Sequence, residues 1–87
     1  MKGTTKTGFE FEVDPAKLDD WEILEQLSEM EDGNMLYAPR FVKKVLGKEM
    51  GKALVDHCRA EDGSVPTNKV LDEIFDIFNQ IKEGKNL

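Results

Sequence analysis

Residues 58 to 75, CRAEDGSVPTNKVLDEIF, form the one stretch of this chain that resembles a metal site. An acidic pair precedes a glycine and an amphipathic segment follows, as in the calcium loop of an EF-hand. Such a loop needs oxygen ligands at positions 1, 3 and 5 and a bidentate glutamate at position 12. With Gly63 at position 6, position 1 falls on Cys58 and position 12 on Lys69, and only Asp62 supplies a carboxylate. The sequence therefore predicts a turn between two helices here and no calcium site.

His57 and Cys58 are the other candidates for chemistry, as metal ligands or as a base and a nucleophile. Neighbouring residues of a helix point about 100° apart, so these two side chains do not face each other. Zinc needs three or four converging ligands, and the chain has one His and one Cys. A cysteine nucleophile also needs a base within hydrogen-bond reach and a group that orients this base. We therefore interpret both residues as helix-packing residues.

Two acidic clusters, DDWE at residues 19 to 22 and EMED at residues 29 to 32, could pair carboxylates for acid–base catalysis. Capping of a helix start and a solvated helix face explain their spacing better. The chain has no glycine-rich phosphate loop and no GxSxG motif. The sequence therefore predicts a protein that is not an enzyme and binds no metal or cofactor.

Length and charge narrow the class of protein. A chain of 87 residues predicts one domain, residues 1 to 87. Its net charge of −6 disfavours binding to nucleic acid or to an anionic membrane. A lone cysteine excludes an internal disulfide and suits a reducing compartment, and neither a signal peptide nor a membrane-spanning run is visible. We therefore expect a cytoplasmic domain whose partner is another protein.

The N-terminal region predicts a β-strand. Residues 8 to 13, GFEFEV, alternate between apolar and polar positions, so Phe9, Phe11 and Val13 are expected on the buried side. The preceding KGTTKT could supply the other strand of a hairpin, which is stable only when it packs on something. Asp14 and Pro15 then suit the start of a helical turn.

The first of four predicted helices covers residues 19 to about 31. Asp19 and Glu22 have the spacing of a capping box with Asp19 as the cap. The predicted inward stripe comprises Leu18, Trp21, Leu24 and Leu27. Ile23 and Met30 widen this stripe. Trp21 is therefore expected in the core, with an exposed anchor for a partner as the alternative.

The other three helices are predicted from near Pro39 to Gly47, from 48 to 61 and from 67 to 84. The residues expected to face inward in the second are Phe41, Val42, Val45 and Leu46. One face of the third holds Met50, Ala53, Leu54, His57 and Cys58. The stripe of the fourth comprises Val70, Leu71, Ile74, Phe75, Phe78 and Ile81, with Ile77 off its centre. The predicted fold class is mainly α, a compact bundle of about four short helices with a short N-terminal β-strand or hairpin.

A basic patch is the strongest sign of a binding surface. It comprises Arg40, Lys43, Lys44, Lys48 and Lys52, five of the twelve basic residues of the chain. A solvated helix face is the simpler interpretation and is favoured. The alternative is a patch that steers an acidic partner or drives self-association. Together with a neighbouring apolar loop, it gives the predicted partner-binding residues Leu36, Tyr37, Arg40, Phe41, Lys43 and Lys44.

Three segments of the chain carry a family likeness: residues 8 to 33, 36 to 54 and 60 to 78. The likeness rests on the strand with FEV, on LDDWEILE, on Leu46-Gly47 before a helix, and on Asp62-Gly63 leading to the helix ending in Ile77-Phe78. In order and spacing these segments resemble the small tail assembly chaperones of long-tailed bacteriophages and prophages. The matching residues are packing and capping residues, not a chemical signature.

The resemblance implies a non-enzymatic assembly factor in the cytoplasm of the bacterial host, absent from the mature virion. Proteins of that family bind the tape measure protein, which sets tail length, and the tail tube protein. The family often has a longer form made by ribosomal frameshifting, on which a protein sequence is silent. We expect the tape measure segment to lie near Leu36, Tyr37 and Phe41, with the basic patch fixing its orientation.

A small acidic phage or prophage regulator, or an inhibitor that binds a host protein, is the alternative function. A DNA-mimicking inhibitor should present regularly spaced carboxylates along one exposed face. Here the charged residues, 34% of the chain, are mixed in sign. This mixture counts against the alternative.

Overall fold

The chain begins with a β-hairpin and continues as helices that pack behind it. The structure, a computed structural model, describes residues 1–84. Within that range the regular elements are strands β1 (Lys2–Thr4) and β2 (Glu10–Glu12) and helices α1 (Trp21–Glu31), α2 (Ala38–His57) and α3 (Thr67–Gly84). Two short 3-10 turns, Pro15–Leu18 and Met35–Tyr37, precede α1 and α2. The predicted mainly helical class with an N-terminal hairpin is confirmed.

The hairpin follows the alternation of its sequence. β1 and β2 pair antiparallel, with Gly3 opposite Phe11. Phe9, Phe11 and Val13 are buried, while the two glutamates between them are exposed. The backbone N–H of Lys6 donates to Asp76 Oδ2 (2.8 Å), and Gln80 Nε2 donates to the carbonyl oxygen of Thr4 (3.0 Å). The hairpin is therefore fixed to α3, which supplies the packing partner that an isolated hairpin needs.

The predicted cap of α1 is wrong by one residue. Asp20, not Asp19, is the N-cap, and its Oδ1 accepts from the backbone N–H of Glu22 (2.8 Å). Asp19 ends the preceding 3-10 turn, where its N–H donates to the carbonyl oxygen of Ala16 (3.2 Å). Because that turn uses Asp19, the helix begins one residue later.

The predicted count of four helices is also wrong. The second and third predicted helices form the single element α2, which bends at Gly47. Gly47 has φ 85° and ψ 171°, a conformation that is essentially restricted to glycine. The expected break thus occurs at the expected residue, but as a kink between two helical halves. α2 also ends at His57, before the predicted Glu61.

The joint between α2 and α3 is the turn that the sequence predicts. Gly63 has φ 90°, and Asp62 Oδ1 accepts from the backbone N–H (2.9 Å) and hydroxyl (2.6 Å) of Ser64. The hydrogen bond from the Ser64 hydroxyl, and secondarily that from its backbone N–H, lowers the pKa of the Asp62 carboxyl. The carboxylate therefore caps its own turn. α3 then begins at Thr67, as predicted.

One apolar core joins the hairpin to the three helices. Ile23, Met30, Leu54 and Ile81 are its largest fully buried side chains. On α3 the buried stripe is Ile74, Ile77 and Ile81, while Phe75 and Phe78 are only half-buried. Ile77, expected off the centre of the stripe, is therefore at its centre.

Candidate partner-binding surfaces

The structure divides the six predicted partner-binding residues among different environments. Leu36 is 88% exposed, on the 3-10 turn before α2. Phe41 is only 3% exposed and belongs to the core, so it offers no contact surface to a partner. The other four line two separate hollows or pair with a neighbouring helix. The six residues therefore differ in exposure and in the hollow that they line.

The first surface is an apolar groove between α2 and α3, with a volume of about 590 Å³. We call it the α2–α3 groove. Its lining is apolar except for Lys43 and Thr67 and comprises Met35, Leu36, Ala38, Pro39, Val42, Lys43, Gly51, Val55, Val65, Thr67, Val70 and Leu71. Of the predicted residues, Leu36 and Lys43 lie here. Val65, Val70 and Leu71 remain half-buried while they pack on the core.

The kink of α2 shapes the floor of this groove. Val42 lies before Gly47 and Gly51 after it, and both line the groove. A Cβ atom at Gly51 would lie 3.1 Å from Val42 Cγ1. Gly51 is buried, so its missing side chain lets the two halves of α2 approach closely. This close contact explains why position 51 is a glycine, although glycine weakens a helix.

The second surface is the solvent-facing side of α1. Trp21 is 75% exposed and Leu24 is 46% exposed, so the expectation that they lie in the core is wrong. They share one side of the helix with Glu25 and Ser28, at the spacing i, i+3, i+4 and i+7. We call these four residues the α1 outer face. The buried side of α1 consists instead of Ile23, Leu27 and Met30.

A hollow of about 500 Å³ lies between the α1 outer face and the start of α2. Tyr37 and Arg40, two of the predicted partner-binding residues, line it with Trp21 and Leu24. Three carboxylates also line it, those of Glu22, Glu25 and Glu29. The hollow therefore combines an exposed indole with a local excess of negative charge.

Three residues of the basic patch lie near these surfaces. Lys43 lines the α2–α3 groove, and Arg40 lines the hollow beside α1. Lys44 Nζ lies 3.6 Å from Glu22 Oε2, in an ion pair whose two side chains are both largely exposed. Such pairs add little stability. Arg40, Lys43 and Lys44 therefore have three different sets of neighbours.

His57 and Cys58 differ in burial. His57 is exposed; its Nε2 lies 2.9 Å from the hydroxyl oxygen of Thr7, and its ring lies 5.3 Å from that of Phe9. The Thr7 hydroxyl donates to Glu73, a buried carboxylate of α3. Cys58 is buried; burial, and secondarily Glu73, raises the pKa of its thiol. His57 thus joins the hairpin loop to α2, while Cys58 packs in the core.

Over residues 1–84, no three or more His, Cys, Asp or Glu side chains converge so that they could hold a metal ion. Within the same residues, no helix has both the length and the apolar character needed to cross a membrane.

Comparison with known proteins adds no assignment. The sequence matches no protein-family model, no curated protein and no solved structure.

Proposed function

We propose that this protein is a non-enzymatic phage tail assembly chaperone that holds a helical segment of the tape measure protein in the α2–α3 groove. Two things support the proposal. The sequence resembles small tail assembly chaperones over most of its length, and the groove has the form that such a role requires. The protein would act in the cytoplasm of the bacterial host and be absent from the mature virion. The tail tube protein is a further proposed partner.

The α2–α3 groove is the observation that carries this proposal. An amphipathic helix binds such a groove by placing the apolar residues of one face, at spacing i, i+3, i+4 and i+7, between the walls. α2 and α3 supply two apolar walls, and the exposed Leu36 stands at the rim. A long helical protein waiting for assembly exposes such apolar faces, and covering them keeps it soluble.

Charge supports the same role in two ways. Lys43 lines the groove, so an acidic residue beside the apolar face of the bound helix would fix its direction. The net charge of −6 keeps loaded complexes apart from one another. The partner must also leave when the tail tube polymerises, and an open groove permits such release.

Co-expression with the tape measure protein of the same phage or prophage tests the proposal. The wild-type chain should raise the soluble fraction of that protein and co-elute with it on a sizing column. Leu36→Asp should abolish most of this effect because burial of a leucine contributes about 1.5 to 3 kcal/mol, or about 10- to 140-fold in affinity. Since Leu36 is 88% exposed, the variant should fold normally.

Leu24→Asp is the matched control, because it makes the same chemical change on the α1 outer face, outside the groove. This variant should still solubilise the tape measure protein. Unchanged solubility of the tape measure protein with the wild-type chain, and no complex on the column, would refute the proposed function. Equal losses with both variants would refute the assignment to the groove.

A further inference from the structure

We propose that the α1 outer face is a second docking surface, which binds a basic amphipathic helix of a partner protein around Trp21. The tape measure helix proposed above occupies a different surface, so this inference goes beyond the proposed function. Its basis is the exposed indole, the hollow beside it and the charges around both.

The apolar residues of this face are not required by the fold. α1 already buries Ile23, Leu27 and Met30, which form its contact with the core. Trp21 and Leu24 point the other way, and Trp21 is 75% exposed. Tryptophan is the residue type most enriched among interface positions that dominate binding energy. An exposed tryptophan one helical turn from an exposed leucine is thus an anchor pair for a partner.

The hollow beside this anchor pair has room for side chains of a bound helix. Tyr37 and Arg40 line it from outside α1, so an apolar side chain that enters the hollow can contact both α1 and the start of α2. Gln26 also lines the hollow, and among residues 1–84 its buried Oε1 accepts no hydrogen bond. A buried acceptor of this kind is stabilised when a donor reaches it, and lysine and arginine carry only donors.

Charge identifies the occupant. Glu22, Glu25 and Glu29 line the hollow against one cation, Arg40. The ion pair with Lys44 offsets part of the charge of Glu22, which leaves the other two carboxylates as the main source of negative potential. The complementary ligand is a helix with an apolar stripe flanked by lysine or arginine. Nucleic acid and anionic lipid carry the wrong sign.

Two synthetic peptides of about 18 residues test this proposal, since that length can form a helix on binding. Both carry leucine at i, i+3, i+4 and i+7; the remaining positions are mainly lysine in one and glutamate in the other. Trp21 is the only tryptophan of the chain, so its emission reports directly on the surface. The lysine peptide should shift this emission to the blue with a saturable curve, and the glutamate peptide should leave it unchanged.

Two variants of the chain locate the site. Glu25→Lys with Glu29→Lys should weaken binding of the lysine peptide at least about tenfold, because close charge pairs at interfaces contribute more than 1.4 kcal/mol. Leu36→Asp, in the α2–α3 groove, should leave its affinity unchanged. All three positions are exposed, so these changes leave the core intact.

Three results would overturn the proposal. The first is equal binding of the two peptides, and the second is an affinity for the lysine peptide that does not change in the double variant. The third is a blue shift of the chain alone with rising concentration, together with a larger mass in sedimentation. That result would show a second copy of this chain to be the occupant.

Discussion

The α2–α3 groove and the α1 outer face both present apolar side chains to solvent, yet they differ in form and charge. The groove has two apolar walls and one lysine, Lys43. The α1 outer face is a single helix side with Trp21 and Leu24, and three carboxylates line the hollow beside it. Apolar content alone thus makes both candidate binding surfaces, and only their shape and charge distinguish the partners that we propose for them.

α1 shows the same distinction within one helix. Its two sides both carry apolar residues, but only Ile23, Leu27 and Met30 pack on the core. Replacing a buried isoleucine by alanine removes its transfer free energy and leaves a cavity. Ile23→Ala should therefore lower the free energy of unfolding by about 2 to 5 kcal/mol, as measured by urea denaturation followed by circular dichroism. This is the largest effect that we predict.

Trp21→Ala is the control for that measurement. Its side chain is larger, but 75% of it is exposed, so the free energy of unfolding should change by no more than about 0.5 kcal/mol. A cost for Trp21→Ala as large as that for Ile23→Ala would show that the indole supports the fold. The α1 outer face would then contribute to the packing of the fold and would not be a free surface.

The kink at Gly47 is expected to matter for the groove and not for the α1 outer face. A Cβ atom at this position would meet nothing within 4 Å, so the strain of Gly47→Ala comes from the backbone alone. Forcing alanine into this conformation should cost about 1 to 3 kcal/mol of stability. Relaxation of the kink should move the NMR signals of Val42 and Val55, which line the groove, and leave that of the Trp21 indole in place.

Lys48→Ala, one residue further along, is the control for Gly47→Ala. Lys48 is exposed, so its replacement should change stability by at most about 0.5 kcal/mol. Stability equal to wild type in Gly47→Ala would mean that α2 tolerates a continuous helix, and that the kink does not shape the groove.

The ion pair between Lys44 and Glu22 predicts a smaller effect. Lys44→Ala should change the free energy of unfolding by less than about 1 kcal/mol because both side chains are largely exposed. It also frees the charge of Glu22 beside the hollow. The affinity of the α1 outer face for the lysine peptide should therefore rise slightly, in a way that 1 M salt removes. A weaker affinity at low salt would contradict the charge assignment.

Calcium should have no effect at the joint beside the groove. Asp62 already accepts two hydrogen bonds from Ser64, and Lys69 occupies the place of the bidentate glutamate. We expect the same melting temperature and the same NMR shifts over residues 58 to 70 with and without millimolar calcium. A calcium-dependent shift centred on Asp62 would show that the turn is an ion site.

The sequence correctly predicts those elements whose apolar or glycine pattern is compatible with only one arrangement. Phe9, Phe11 and Val13 alternate strictly with glutamates, so only one side of the strand could be buried. The sequence correctly predicts breaks at Gly47 and Gly63, because positive φ strongly favours glycine. The sequence does not show whether Gly47 separates two helices or bends one, because both arrangements need a glycine at this position.

The predictions are wrong where the apolar pattern is compatible with two arrangements. α1 carries one apolar stripe through Trp21 and Leu24 and another through Ile23 and Leu27, and periodicity does not rank them. The start of α2 mixes surface and core residues, so the sequence pattern groups Phe41 with Leu36 although Phe41 is buried. The groove itself joins residues far apart in sequence, such as Val42 and Leu71. Such a site follows from the packing of helices, which no local pattern specifies.

The most direct test of the proposed function is to map where the tape measure protein binds. The isotope-labelled chain would be titrated with the co-expressed tape measure protein or with its helical fragments, and methyl and indole NMR signals would be followed. The groove residues Val55, Val65, Val70 and Leu71 should shift or broaden. Changes confined to Trp21, Leu24 and their neighbours, with these groove methyl signals unmoved, would contradict the account.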